Sequence, residues 1–211
     1  TSFLENILFT EKKNIGVTTS PHLLDIFERI RVNKEKIDKN EFKRLIKEIE
    51  NNLTTIKLSP FEQIICCALK FFDFKKVDLL ILEAGLGGRL DATTAHHFRP
   101  IIAIGNIGLD HKEYLGDSIE KIAKEKVAVI EKNAFVVTCN QNLKVEEIIL
   151  KHKNESVIFC AIGGDGTLSN LIDNLLKNNS INPEVACHPS GSGSDFMRTF
   201  AFPKHINEGI K

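Results

Sequence analysis

The sequence predicts an α/β fold in which a mostly parallel sheet carries helices on both faces, arranged as two incomplete α/β units. Two observations lead to this prediction. Short apolar runs alternate with segments whose apolar residues recur at helical spacing along the 211 residues. Residues 77–83 are apolar at almost every position, which is typical of a strand covered on both faces. The length suffices for one large domain or two small ones.

The expected elements follow this alternation from end to end. A helix is expected directly after Thr1, where apolar residues recur at helical spacing. Ser59, Pro60 and Glu62 have capping-box spacing and predict the start of a helix over 60–72. Asp117 and Glu120 are expected to cap a helix over 118–130. Further helices are expected at 41–53, 143–153 and 168–178, and strands at 15–19, 77–83, 100–106, 134–138, 156–162 and 184–189.

The amino-acid composition indicates which binding partners and which cellular compartment to expect. Lys plus Arg and Asp plus Glu each number 28, so the formal net charge is zero and no nucleic-acid partner is expected. No run is long enough to span a bilayer, so no transmembrane segment is expected. Five cysteines without a C-x-x-C motif indicate neither a disulfide framework nor a zinc cage, and a reducing, cytoplasmic setting is expected. Without an initiating methionine, the chain is interpreted as a fragment.

Polar clusters follow several predicted strands, at the strand ends where ligands collect in parallel sheets. Glu83 offers a hard oxygen ligand for a Mg²⁺ ion that bridges ATP phosphates. The glycines that follow it allow close backbone approach, and Arg89 is placed to bind a phosphate or a carboxylate. His111 would complete a metal shell. Each feature also has an ordinary reading, because "GLGG" is most often a tight turn and a lone histidine is most often structural.

Four strings carry a family resemblance: "TSPHL", "FERIRVN", "LEAGLGGRLDATT" and "NIGLDHKEYLGDSIEKIAKEK". They resemble, in order from Thr1 to about residue 153, the central domain of folylpolyglutamate synthase/dihydrofolate synthase, a relative of the Mur ligases. The resemblance implies an ATP- and Mg²⁺-dependent ligase of folate metabolism. Such enzymes activate a carboxylate as an acyl phosphate, which an amine attacks to form an amide. The implied substrates are a folate or dihydropteroate, and glutamate.

The resemblance also assigns residues to roles. The implied metal ligands are Ser20, Glu83 and His111, and Lys126 matches a lysine that is carbamylated in the family. Nucleotide contact is assigned to Asn106 and substrate contact to Arg29, Arg31 and Arg89. Three positions depart from the family pattern, namely Ala84, Thr94 and Gly105, and Thr94 lacks the amide of the usual asparagine.

The phosphate-binding loop of that family is not found. A search of the 211 residues for G-x-x-x-x-G-K-[ST] finds no match, although "TSFLENIL" is similar to the residues that follow the loop's lysine. The β- and γ-phosphates of ATP would therefore lose their main anchors among these residues. The sequence accordingly predicts half of a ligase site, derived from an active enzyme but inactive as it stands.

A second glycine-rich turn lies near the other end of the chain. Residues 157–176 read as a strand, a glycine turn and an amphipathic helix whose N-terminus would favour an anion. Together with "HPSGSGSDFMRTFAFPK", the "GGDGT" turn resembles the catalytic domain of diacylglycerol kinase-like lipid kinases over residues 156–211. The resemblance implies ATP phosphates at Gly163, Gly164, Gly166 and Thr167, with Asp165 as a catalytic or Mg²⁺-binding residue. Ser194 replaces the usual asparagine.

The two resemblances divide the chain into a ligase-like domain, residues 1–153, and a truncated kinase-like segment, residues 154–211. Three explanations remain open for this combination. The favoured explanation is a chimera or a misassembled reading frame. The second is a non-catalytic scaffold that reuses both pieces, and the third is a bifunctional enzyme. The ligase ancestry is favoured as the main reading, and a lipid kinase-like ATP-binding fragment is the alternative.

Overall fold

A computed structural model describes residues 1–11, 13–53, 55–132, 134–139 and 141–152, together with the backbone of two later strands. The chain forms two compact units, Thr1–His97 and Phe98–Lys211. The sequence-based boundary at residue 153 rests on the two family resemblances and stays a prediction.

The first unit is built on a four-stranded sheet with the order β3-β2-β1-β4. Strand β1 runs parallel to β4, while β2 pairs antiparallel with both β1 and β3. Every residue of β1 is buried, as expected for a central strand. The strands are β1 (Ile15–Thr18), β2 (Ile30–Val32), β3 (Glu35–Lys36) and β4 (Leu79–Leu82).

Helices of the first unit begin where local capping residues predict them. Helix α3 (Pro60–Phe74) starts with the expected capping box, in which Ser59 and Glu62 exchange hydrogen bonds with each other's backbone N–H groups. Asp38 caps α2 (Lys39–Asn52), and α1 (Ser2–Phe9) occupies the expected place after Thr1. Two short 3-10 helices lie at Ile26–Arg29 and Ala92–Thr94.

The core of this unit lies between the sheet and helices α2 and α3. Phe72 of α3 is 1% exposed and lies against Gly16 of β1. A Cβ atom at Gly16 would come within 2.8 Å of that ring, so only glycine permits this approach. The other buried members of the cluster are Ile30, Ile37, Leu45, Ile49, Ile64, Cys67, Ala68 and Phe71.

The second unit contains two pairs of parallel strands and three described helices. Strand β5 (Ile101–Ile104) pairs with β6 (Phe135–Thr138), and β7 (Ile158–Gly163) pairs with β8 (Glu184–Pro189). Helices α4 (Lys112–Leu115), α5 (Ile119–Val127) and α6 (Leu143–His152) complete the described elements. The buried core includes Ile102, Ile104, Ile122, Val127 and Val145.

These elements confirm the predicted α/β class with mostly parallel strand pairs. Two details differ from the sequence-based expectations. The antiparallel β2–β3 ribbon is not among the expected strands, because strands of three and two residues are too short to show a period. Helix α5 is capped by the Ser118 hydroxyl rather than by Asp117, which instead forms a salt bridge with Lys121. The predicted helix over 168–178 lies outside the described residues. Within the described part of the chain, no helix has the length and apolar character needed to cross a membrane.

Cysteine reactivity gives a direct test of this core. Cys67 of α3 is completely buried, and that burial raises the pKa of its thiol to about 12, whereas Cys139 is exposed. Because the thiolate is the reactive form, iodoacetamide at pH 8 is expected to alkylate Cys67 more than about 100-fold more slowly than Cys139. Peptide mass spectrometry measures both rates. Unfolding in urea should remove the difference, and equal rates in the native chain would contradict the packing of α3.

Candidate functional site

Glu83 stands at the carboxyl ends of the two parallel strands of the first unit. Its backbone N–H donates to the Thr18 carbonyl at 3.3 Å, so the pairing of β1 with β4 continues one residue beyond β4. Ligands of open parallel sheets collect at this edge. The sequence-based placement of Glu83 at a strand end is therefore correct.

Two other segments converge on the Glu83 carboxylate. The Thr1 hydroxyl, at the beginning of α1, donates to Oε2. The backbone N–H of Ser20, in the loop after β1, donates to Oε1 at 3.4 Å. The structure thus brings together Ser20 and Glu83, two of the three predicted metal ligands, and adds Thr1, which sequence reasoning did not identify. Thr1 could have been found only from the three-dimensional pairing, because it lies 82 positions from Glu83.

The donor set of this edge fits a hard divalent cation. Carboxylate and hydroxyl oxygens are the ligands that Mg²⁺ prefers, and each Glu83 oxygen retains capacity beyond the one bond it accepts here. The N-terminus of α1, which carries a positive partial charge, begins beside the carboxylate. Among the described residues no group of three or more His, Cys, Asp or Glu side chains could hold a metal ion. A cation at Glu83 would thus draw on hydroxyl, water or phosphate oxygens as well.

Asp91 organises the glycine loop that follows Glu83. Its carboxylate is 8% exposed, and Oδ2 accepts from the backbone N–H groups of Gly85 and Leu86, each at 2.9 Å. Oδ1 accepts from the backbone N–H and the hydroxyl of Thr93, at 2.9 and 2.6 Å. Sequence reasoning gave Asp91 no role. The signal for it was the Asp-x-Thr spacing, which is typical of a capping aspartate.

The glycines of this loop have reasons to be glycine that involve no ligand. A Cβ atom at Gly85 would come within 2.7 Å of the Phe61 ring, and Gly87 has a φ of +68°. Thr94, which lacks the amide expected from the family pattern, has its hydroxyl within 2.8 Å of the Gly88 carbonyl and 2.7 Å of the Asp91 carbonyl. The loop is therefore held by its own residues, with Arg89 exposed upon it.

Arg29 and Arg31, two of the arginines predicted to contact substrate, differ in their contacts. Arg31 is engaged by protein groups: Nε and Nη2 donate to the two carboxylate oxygens of Glu5 at 3.3 and 2.8 Å. Its Nη1 donates to the Thr19 hydroxyl at 3.1 Å and the Glu28 carbonyl at 2.6 Å. Arg29 donates from Nε to Nδ1 of His22 at 3.0 Å, within an exposed part of the loop.

The other residues that the ligase resemblance assigned to the site, Asn106, His111 and Lys126, belong to the second unit. His111 begins α4 in the left-handed region with a φ of +49°, and its backbone N–H donates to Oδ1 of Asp110 at 2.8 Å. Histidine adopts that region more readily than most non-glycine residues, and Asn33, Lys34 and Lys76 adopt it as well. Asn106 is exposed in the loop after β5. Lys126 lies in the last turn of α5 and is half-buried.

Gln141 supports the loop that carries Asn106. Its side chain is 8% exposed, and Nε2 donates to the Gly105 carbonyl at 2.7 Å while Oε1 accepts from the Ile107 backbone N–H at 2.9 Å. Nε2 also lies 2.9 Å from the Thr138 hydroxyl at the end of β6. The buried Gln141 amide thus binds the backbone of the residues on either side of Asn106. Sequence reasoning did not identify Gln141, because a single glutamine in a loop carries no pattern.

The kinase-type residues lie almost entirely outside the described residues. Gly163 ends β7, where it pairs with Pro189 of β8. Asp165 and the remaining positions of the predicted phosphate loop, Gly164, Gly166 and Thr167, are not among the described residues.

Comparison with curated proteins identifies folate ligases as relatives. The dihydrofolate synthase/folylpolyglutamate synthase of Escherichia coli (strain K12) is 38% identical over 135 residues, which is 63% of this chain and 32% of the relative. The protein of the same name from Bacillus subtilis (strain 168) is 32% identical over 162 residues, 73% of this chain and 37% of the relative. The chain spans between 15% and 37% of the length of such relatives.

Solved structures of the same enzymes share the fold. Escherichia coli FolC in complex with ADP matches with a TM-score of 0.65 and 33% identity, over 70% of this chain and 36% of that one. A bifunctional folylpolyglutamate synthase/dihydrofolate synthase with Mn, AMPPNP and L-glutamate bound matches with a TM-score of 0.64 and 35% identity, over 70% and 37% of the two chains.

A family comparison matches the other end of the chain. The diacylglycerol kinase catalytic domain matches residues 111–211, just under half of the sequence. The resemblance of most of the chain to folylpolyglutamate and dihydrofolate synthases is therefore confirmed, and the lipid kinase-like segment is supported by its own match. The kinase match begins within the string around His111 that also resembles the ligases.

The role of Asp91 is testable by substitution. In Asp91→Ala, the N–H groups of Gly85, Leu86 and Thr93 lose their acceptor, and the stability of the first unit is expected to fall by about 3 kcal/mol. Asp73→Ala is the matched control, because that carboxylate is 83% exposed and its loss is expected to change stability by less than about 0.5 kcal/mol. Urea denaturation followed by circular dichroism measures both. Equal effects of the two substitutions would contradict the role of Asp91.

Proposed function

We propose that the first unit binds Mg²⁺ and a nucleotide phosphate at the Glu83 carboxylate, as an inheritance from an ATP-dependent, amide-forming ligase of folate metabolism. The observation that carries this proposal is the convergence of Thr1 and Ser20 on Glu83 at the carboxyl ends of β1 and β4. A hard carboxylate beside a helix N-terminus suits a cation and an anion held together.

The other predicted residues take roles that follow the same family. Ser20 and Glu83 would contribute metal ligands in the first unit. By the same resemblance, His111 and a carbamylated Lys126 are the proposed metal ligands of the second unit. Asn106 would contact the nucleotide, and Arg29, Arg31 and Arg89 would contact the substrate. The metal would polarise the phosphate that is transferred.

Binding without turnover is the expected behaviour of the 211 residues. They contain no G-x-x-x-x-G-K-[ST] loop, so the main N–H donors and the lysine for the β- and γ-phosphates are missing from this sequence. A folate or dihydropteroate and glutamate are the proposed substrates of the ancestral reaction. The names of the relatives, which are folate synthases, support this substrate class.

Isothermal titration of the chain with Mg²⁺-ATP tests the binding proposal. Glu83→Gln removes the anionic ligand and is expected to weaken binding at least about tenfold. Glu50→Gln is the matched control, because Glu50 is exposed on α2 and lies outside the site. The proposal fails if the unchanged chain gives no heat, or if Glu83→Gln binds as the control does. Phosphate release with dihydropteroate and glutamate present should stay at background.

A lipid kinase-like nucleotide site is the second candidate. Its supporting observation is the match of the diacylglycerol kinase catalytic domain to residues 111–211, within which β7 and β8 form a parallel pair. Ligase ancestry and kinase ancestry in one chain support the further proposal that residues 1–153 and 154–211 come from different proteins.

Gly164→Arg separates the two candidates. An arginine in the glycine turn would fill the space for ATP phosphates, so nucleotide binding at a kinase-like site should fall about tenfold or more. The same substitution should leave binding at Glu83 unchanged. Titration of Mg²⁺-ATP into Gly164→Arg, Glu83→Gln and the double variant distinguishes them: unchanged affinity in Gly164→Arg excludes the kinase-like site.

A further inference from the structure

Helix α1 is held against the sheet by a charged residue rather than by an apolar face. Glu5 is the only residue of the helix that is buried, at 4% exposure. Phe3 and Ile7, which would form the apolar side of an ordinary surface helix, are 89% and 63% exposed. At the far end of the helix, the Lys34 ammonium lies 4.3 Å from the centre of the Phe9 ring. The position of α1, and with it the position of Thr1, therefore depends strongly on what Glu5 contacts.

The contact of Glu5 is Arg31 of β2. Two guanidinium nitrogens donate to the two carboxylate oxygens, in the forked geometry that arginine alone supplies. The side chains of Arg31 and Glu5 are 15% and 6% exposed, so solvent screens this pair little. The orientation of α1 is consequently fixed by a directional interaction.

Arg31 reaches a second segment through its remaining donor group. Nη1 donates to the Thr19 hydroxyl and to the Glu28 carbonyl. Thr19 directly precedes Ser20, whose N–H binds Glu83. One guanidinium thus joins the helix that begins at Thr1 to the loop that contains Ser20, the two segments that meet at the Glu83 carboxylate.

We infer that Arg31 and Glu5 are positioning residues that hold Thr1 and Ser20 at the Glu83 carboxylate. The consequence for cation binding rests on the proposed function; the consequence for the positions of Thr1 and Ser20 does not. This role is additional to the proposed substrate contact and uses the Arg31 donors that face Glu5, Thr19 and Glu28. Removing a side chain that hydrogen-bonds to a metal-ligating group and orients it commonly lowers metal affinity 10–100-fold.

Nuclear magnetic resonance of the full chain, with Mn²⁺ alone as the probe, tests the inference. Paramagnetic broadening of the Ser20 and Glu83 amide signals reports the affinity at this site. Glu5→Gln and Arg31→Lys are each expected to weaken Mn²⁺ binding about tenfold or more. Lysine keeps the charge but lacks the planar fork that binds both Glu5 oxygens while a further nitrogen donates to Thr19 and Glu28. Glu11→Gln, at an exposed position beyond α1, is the matched control and should behave as the unchanged chain.

A measurement without metal separates this inference from the proposed function. In both variants the Ser20 and Glu83 amide signals should shift, and α1 amides should exchange with solvent about tenfold faster, while α3 amides stay protected and show that the fold is intact. If the unchanged chain binds no Mn²⁺ at Glu83, the proposed metal site fails, and the shifts and exchange rates still decide the inference. Unchanged shifts and exchange in Glu5→Gln and Arg31→Lys would overturn it.

Discussion

The parallel pairing of β1 with β4 is the constraint on which the first unit depends. It brings the residues after both strands to one edge, although 63 positions separate Ser20 from Glu83 in the chain, and it places these two residues side by side. Gly16 of β1 allows α3 to pack closely on the sheet, since a Cβ atom there would come within 2.8 Å of the Phe72 ring. The same four-residue strand thus packs against Phe72 and leads to the contact between Ser20 and Glu83.

In the first unit, buried carboxylates hold helix α1 and the glycine loop after Glu83 in position. Glu5 binds a guanidinium and Asp91 binds backbone N–H groups, and both join segments of the chain that bury few apolar side chains. A buried charge is costly unless it is fully hydrogen-bonded, so each of these carboxylates favours one arrangement of its neighbours strongly over others. Gln141 plays the same part in the second unit with a neutral amide. Directional bonds, rather than core packing, define the loops of the candidate site.

The sequence predicted the elements whose causes are local. The capping box at Ser59, the apolar run of β4 and the helical spacing of α2 each depend on nearby residues, and the structure has the expected element at each. The expectation that β4 is covered on both faces is wrong, because none of its four residues is buried and Leu80 is exposed. The Arg31–Glu5 pair and the Thr1–Glu83 contact depend on residues 26 and 82 positions apart, so no local pattern announces them. The family resemblance named Ser20 and Glu83 together, and the structure brings the two into contact, but a motif does not record which way the Arg31 guanidinium points.

In sequence, the ligase-like and kinase-like segments share one local pattern, which is an apolar strand followed by glycines. Strand β4 leads into Glu83 and its glycines, and β7 ends at Gly163 beside β8. In the first unit the N–H groups of Gly85 and Leu86 are bound by the Asp91 carboxylate, so glycines after a strand do not by themselves indicate a phosphate site. The pattern alone therefore does not distinguish the two family resemblances. What distinguishes the first unit is the Glu83 carboxylate, on which the Thr1 hydroxyl and the Ser20 backbone N–H converge, because a positioned hard oxygen ligand is what the proposed cation would require.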